Sequence, residues 1–290
     1  MWIAFAILSA IIFGTASVIM KAGTIRKYSD YYILWGLYAS GSIFFFISAH
    51  GNYNFKWSIT LVIASIIIAI GSFFGNYFVI KALETGPASL TAPMLNINLP
   101  LIILMSVIYY GETMTATKII IILLLFIAVL LVKFDPHENL SIKNKKWFVW
   151  VISGAMILFL REGGLKITLE LGLNNQIILL NSYIICLIFA TISLFKIKVS
   201  VTEENSTSIL QQHLNAIKFG LYAGVCSGGG LFLYSLALST GPASLVALIF
   251  SARSIVIIFF SALLFKEKLT KFQKFSVILL CLGLALSSFT

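Results

Sequence analysis

A chain of 290 residues that is 60% hydrophobic and 10% charged, with a mean hydropathy of +1.02, has too little polar surface for a water-soluble domain. Its net charge of +10 would suggest nucleic acid as the partner of a soluble protein. Here, however, Lys and Arg gather at the ends of apolar runs, where membrane orientation explains them.

A bilayer crossing takes about 20 mostly apolar residues. Runs of that kind cover 2–20, 31–49, 57–80, 88–110 and 117–132, then 147–165, 175–195, 216–238, 244–265 and 271–288. The first has almost no charged leader and is followed by nine others, so it reads as a retained span rather than a secretory signal. Cys186, Cys226 and Cys281 lie inside apolar runs without paired or metal-ligand spacing, as small core residues do. The expectation is an all-α integral protein of the cytoplasmic membrane with ten transmembrane helices. The connections and flanks at 21–30, 81–87, 133–146, 196–218 and 266–274 carry 15 of the 20 basic residues. By the positive-inside rule these face the cytoplasm and both termini lie outside.

The segment ALETGPASL, beginning at Ala82, returns as ALSTGPASL at Ala237, an offset of 155 residues. The register then holds: Ser106 meets Ser261, Glu112 meets Glu267 and Thr115 meets Thr270. At the front of each half the offset is 145, aligning Trp2 with Trp147 and Lys21 with Lys166. Five spans per half is an odd number, so the second copy enters the membrane from the opposite side. The reading is two inverted five-helix repeats, 1–134 and 147–290, joined by a linker at 135–146. Inverted repeats of this kind are typical of secondary transporters, whose solute sites lie near the bilayer midplane between the halves.

The two copies of this helix-turn-helix, followed about twenty residues later by GETMT and KEKLT, make the chain resemble the EamA type of the drug/metabolite transporter superfamily over nearly its whole length. The resemblance implies a central cavity formed by the first four spans of each half, with the last span of each outside. It implies cytoplasmic termini, against the charge count, so orientation stays open. It also implies export of amino acids or other metabolites, with import or exchange of organic phosphates, nucleotides or related metabolites as the alternative.

Arg253 departs most from its surroundings, because an unpaired charge in mid-span costs several kcal/mol or more. It needs a partner or a wet cavity. A guanidinium holds a carboxylate or phosphate through paired hydrogen bonds, which favours an anionic or zwitterionic solute. At the repeat offset its counterpart is Asn98, with Asn96 close by, in a span interrupted by Pro93 and Pro100. The competing account is an internal ion pair with Glu162, which is also a candidate for proton coupling. Direct pairing of Glu162 with its neighbour Arg161 is not expected, since adjacent residues diverge on a helix. Trp35, Tyr38 and Tyr77 are too deep for an interfacial belt and are candidate cavity walls.

Other motifs read structurally. Gly86-Pro87 and Gly241-Pro242 suit a left-handed helix closure followed by a helix start. Glu112 and Glu267 sit at span boundaries, ahead of the helices that follow them, as anchors or caps. Gly71 and Gly75, and Gly220, Gly224 and Gly228, make smooth faces for close helix contact.

The sequence holds no phosphate-binding GxxxxGK[ST] loop, HExxH pair or GxSxG elbow. His50, His137 and His213 fall in separate connections. An enzyme is therefore not expected, nor a cofactor or metal. The expected partners are the lipid bilayer and a small-molecule solute, with a proton or counter-substrate as driving force, and no nucleic acid. The competing classes are a membrane transferase acting on lipid-linked substrates and a non-transporting subunit. Oligomeric state is not legible.

Overall fold

The computed structural model describes residues 1–49, 58–117, 146–196 and 206–266, with isolated residues between 119 and 127 and between 271 and 286. Among the described residues all regular structure is helical. The helices are α1 (Trp2–Ile25), α2 (Asp30–Ser48), α3 (Ile59–Thr85), α4 (Ala88–Leu95), α5 (Leu99–Tyr110), α6 (Lys146–Glu162), α7 (Gly164–Glu170), α8 (Asn175–Lys196), α9 (Ser206–Thr240), α10 (Ala243–Ser251) and α11 (Arg253–Leu264).

Counting α4–α5, α6–α7 and α10–α11 each as one broken span, eight spans among the described residues are long and apolar enough to cross a membrane, which corrects the expected ten. The runs at 117–132 and 271–288 are the two shortest of the ten, at the margin of the length a span needs. They fall largely outside the described residues, as do 135–145, Glu267, Thr270, His50, His137 and Cys281.

The two halves clasp each other through equivalent residues. Trp2 packs on Gly241, and its counterpart Trp147 packs on Gly86. Deeper in, Phe13 lies on Gly230 and Leu158 on Gly75. Contacts that rise along α1 while falling along α9 make those helices antiparallel, and α6 and α3 are related in the same way. The glycines at these crossings have a steric reason. A Cβ on Gly86 would lie 2.5 Å from the Trp147 indole, and one on Gly241 would lie 2.7 Å from Trp2. Gly86 is in fact extended, at φ −146° and ψ 174°, so the expected left-handed closure gives way to a need for space. Left-handed closure occurs instead at Gly111, with φ 63°.

Gly36 of α2 and Gly220 of α9 bring two backbones together without side chains between them, and Gly224 meets the Leu37 carbonyl one turn on. Without a hydrophobic driving force between helices in lipid, such close approach supplies dispersion contact. Glu112 reaches across to the other half. Its carboxylate accepts from the Ala243 amide at 2.8 Å and from the Ser244 hydroxyl, capping α10. Pro242 opens α10 with uncapped amides, and the Gly111 turn carries Glu112 across to them. A carboxylate there satisfies donors and meets the positive end of the helix dipole.

Candidate functional site

Three helix breaks meet in the interior. Pro93 and Pro100 each lack an amide hydrogen, and between them α4 gives way to a tight 3-10 turn, Asn96–Asn98, before α5. At the repeat offset, α10 stops at Ser251 and α11 starts at Arg253. The Asn96 amide donates across to Ser254 Oγ at 3.2 Å and to the Ser251 carbonyl at 3.4 Å, joining the two breaks. The third break follows Glu162, where α6 ends at Gly163.

Glu162 is the hub. Its Oε1 accepts from Arg253 Nη1 at 2.7 Å and from Arg161 Nη2 at 3.1 Å, and its Oε2 accepts from Asn98 Nδ2 at 2.9 Å. The Tyr234 hydroxyl donates to the Glu162 carbonyl at 3.3 Å. Arg161 also reaches Asn76 Oδ1 at 3.5 Å, and the Asn76 amide donates to the Tyr38 hydroxyl at 3.0 Å. Arg161 thus pairs with its neighbour Glu162, contrary to the divergence expected on a regular helix. The pair sits at the last residues of α6, and the long guanidinium stem folds back to a carboxylate that the helix end leaves within reach.

Arg161, Glu162, Arg253 and Asn98 are all buried. Both guanidiniums lie over the Phe13 ring, its centroid 5.1 Å from Arg161 Cζ and 5.3 Å from Arg253 Cζ. Phe250 stands 4.3 Å from Arg253 Cζ. Ring faces stabilise cations that have lost their water. Even so, two guanidiniums face one carboxyl group. Among the described residues at least one positive charge is left over.

Beside the cluster is a cavity of about 20 Å³, lined by Phe13, Ser17, Asn76, Leu95, Arg161 and Arg253 among others. That is room for about one water. Arg161 Nε, Asn98 Oδ1 and Asn96 Oδ1 are buried without a hydrogen-bond partner. Orphan polar atoms in a low-dielectric interior cost about 1–3 kcal/mol each, and a ligand or water that meets them recovers part of that.

Of the residues singled out in the sequence, Arg253, Glu162, Arg161 and Asn98 form the cluster, and Asn96 braces the adjoining break. Tyr38 borders it through Asn76. Trp35 and Tyr77 are not brought there: Trp35 Nε1 donates to Thr191 Oγ1 at 3.1 Å, and Tyr77 packs on Tyr31 at 5.7 Å between ring centroids. Phe13 and Asn76 are additions. Asn76 could have been found as a lone amide inside an apolar run; Phe13 had no such signal. Among the described residues no group of three or more His, Cys, Asp or Glu could hold a metal ion.

Paired helix breaks at the contact between two clasped halves, with buried charge beside a small cavity, define a multi-pass integral protein of the cell membrane that moves small molecules. Residues 1–134 and 146–289 each match the model of the EamA-like transporter family, and the chain belongs to that family. It is a secondary transporter of small molecules. Among solved structures 27 chains match. One of them, described as a crystal structure of a protein, has a TM-score of 0.65 at 12% identity, covering 97% of this chain and 98% of its own. That likeness shows the fold alone. No curated protein matches the sequence.

Proposed function

We propose that the protein exports a small organic anion or zwitterion, such as an amino-acid-like metabolite, by alternating access, and that the solute's carboxylate or phosphate binds Arg253 and Arg161. The observation that carries this is the charge surplus: two buried guanidiniums share one carboxyl group beside a cavity. A second anion would balance the charge and meet the orphan Nε–H of Arg161. The cavity as it stands fits a contracted site that widens as the halves move. The exporters among the transporters this chain resembles support the outward direction.

Glu162 supplies a coupling step. A solute anion that takes a guanidinium releases one bond to Glu162, and a carboxylate so released in an apolar interior gains by taking up a proton. Solute and proton then bind in concert. Counterflow in vesicles, screened over amino acids, nucleosides and organic phosphates, tests the substrate class, and anionic or zwitterionic hits are expected. Arg253→Ala lowers that flux at least about tenfold, since truncating a buried charge contact costs about 2–5 kcal/mol; unchanged flux rejects the site. Glu162→Gln keeps solute-driven exchange but abolishes dependence on a pH gradient, and intact dependence rejects the coupling role.

A further inference from the structure

A groove of about 180 Å³ opens toward lipid between α3 of the first half and α8 of the second, lined by Val62, Ser65, Asn181, Ile184 and Ile185. Val62 and Ile184 are 41% and 42% exposed, whereas Ser65 and Ser182 are buried. Bonds between the two helices close the back: Ser182 Oγ donates to the Ser65 carbonyl at 2.9 Å, and one turn on Cys186 Sγ donates to the Ala69 carbonyl at 3.3 Å. These contacts advance together along both helices, so α3 and α8 run parallel and start at the same membrane face.

One side chain of the groove is out of keeping with its surroundings. Among the described residues Asn181 Nδ2 is buried without a hydrogen-bond partner, and a donor left so is destabilising. Water answers it poorly, because a buried water is held by about two to four polar partners. The other polar residue of the lining, Ser65, already donates to the Leu61 carbonyl at 2.8 Å. Among the described residues no charged side chain lines the groove, so it gives no grip to an ion. The ligand that fits is apolar apart from an acceptor oxygen.

Depth narrows the class. Asn181 comes six residues after the start of α8 at Asn175, and Ser65 six after the start of α3 at Ile59, which is about 9 Å of helix rise. With 27 residues, α3 is about 40 Å long, enough to cross a hydrocarbon core of about 30 Å and a headgroup layer of about 5–8 Å on each side. The groove therefore sits where headgroups meet hydrocarbon, the level of the ester carbonyls of a glycerophospholipid.

We infer that the groove binds a glycerophospholipid of the membrane, its acyl chain lying on Val62, Ile184 and Ile185 and its ester carbonyl accepting from Asn181 Nδ2. A lipid so placed touches both halves at once. The site is separate from the guanidinium cluster, and neither reading falls with the other. Competition between two lipids that differ only in their linkage tests it. The purified protein is given equal amounts of a diester and a diether phosphatidylcholine of one chain length, and bound lipid is read by native mass spectrometry. The diester is expected to exceed the diether about fivefold, the ratio one neutral hydrogen bond supports, and Asn181→Leu, similar in size but without the N–H, brings the ratio to about one. Equal binding in the parent, or an excess that Asn181→Leu leaves unmoved, overturns the site. Val62→Trp gives a second reading, since it keeps the amide and fills the groove: bound diester is expected to fall, and retention at the parent level overturns the proposal. Dimers that exclude lipid and vanish in Val62→Trp would assign the groove to a second copy of the chain, and overturn it as well.

Discussion

The two halves share a scaffold but not its chemistry. Trp2 and Trp147, Gly230 and Gly75, and the breaks at Ser251–Arg253 and Asn96–Asn98 are repeat equivalents that meet in reciprocal contacts. At the cluster the equivalence is broken. Arg161, Glu162 and Arg253 all belong to the second half, and at their counterparts the first half has Ala16, Ser17 and Asn98. The repeat brings two polypeptide breaks into contact, while one copy alone supplies the charge of the cluster. Symmetry can build a cavity that both membrane faces reach by equivalent motions; asymmetry gives the cavity a sign.

Making the first copy resemble the second should disturb function most. Ser17, the counterpart of Glu162, lines the cavity. Ser17→Glu places a second carboxylate opposite the guanidiniums and cancels their surplus, so the solute loses its main attraction. Losing a buried charge contact of about 2–5 kcal/mol lowers vesicle flux about 100-fold, at 1.4 kcal/mol per factor of ten. Ser17→Gln, similar in size but neutral, should cost less than a third of that in log units. Equal losses from the two substitutions would mean that crowding, not charge, is responsible.

The clasp sharpens the comparison at the level of stability. Trp147 is fully buried and its Nε1–H donates to Thr91 Oγ1 at 2.9 Å. The position equivalent to Thr91 is Val246, so Trp2 has no matching hydroxyl, and it is half-buried. Trp147→Ala is expected to destabilise by about 3–5 kcal/mol and Trp2→Ala by about half as much, measured by unfolding in mixed detergent micelles. Equal losses would show that the two ends of the clasp are interchangeable.

How much of this was legible in the sequence follows from contrast with lipid. Arg253, Glu162 and Asn98 stood out because a polar side chain in an apolar run has few physical excuses. Their joining was not legible, since the Arg161–Glu162 pair depends on where α6 ends, and a helix end at Gly163 leaves no mark in hydropathy. Phe13 was silent for the opposite reason: an aromatic ring among apolar neighbours reads the same whether it packs or meets two cations. Gly86 was noticed for the wrong property, its conformational freedom, when the Trp147 indole demands its missing side chain. The expected ten spans become eight among the described residues, and the two runs that do not enter that count, 117–132 and 271–288, lie largely outside them.

Glu112 offers a smaller test, of the link between halves. Glu112→Gln keeps an oxygen for the Ala243 amide but removes the charge that meets the α10 dipole, a loss of about 1 kcal/mol or less. A drop of a few degrees in melting temperature with transport retained is the expected result. Stability unchanged within error would place the cap's value elsewhere.

The smallest effect is expected outside the cluster. Trp35 joins α2 to α8 through one hydrogen bond to Thr191, a neutral contact worth about 1 kcal/mol, and it touches none of the charged groups of the site. Trp35→Phe keeps the ring in place and drops that bond, so flux should stay within about twofold of the parent while stability falls slightly. Trp35 stands on the same helix as Tyr38, one turn away, and the difference between them is direction: Tyr38 reaches Asn76 at 3.0 Å and thereby Arg161, whereas Trp35 faces α8. Tyr38→Phe, which removes the hydroxyl that positions Asn76, is accordingly expected to lower flux more than Trp35→Phe. The reverse ranking would mean that the solute runs along α8, and that the guanidinium cluster is a structural knot beside the path rather than a station on it.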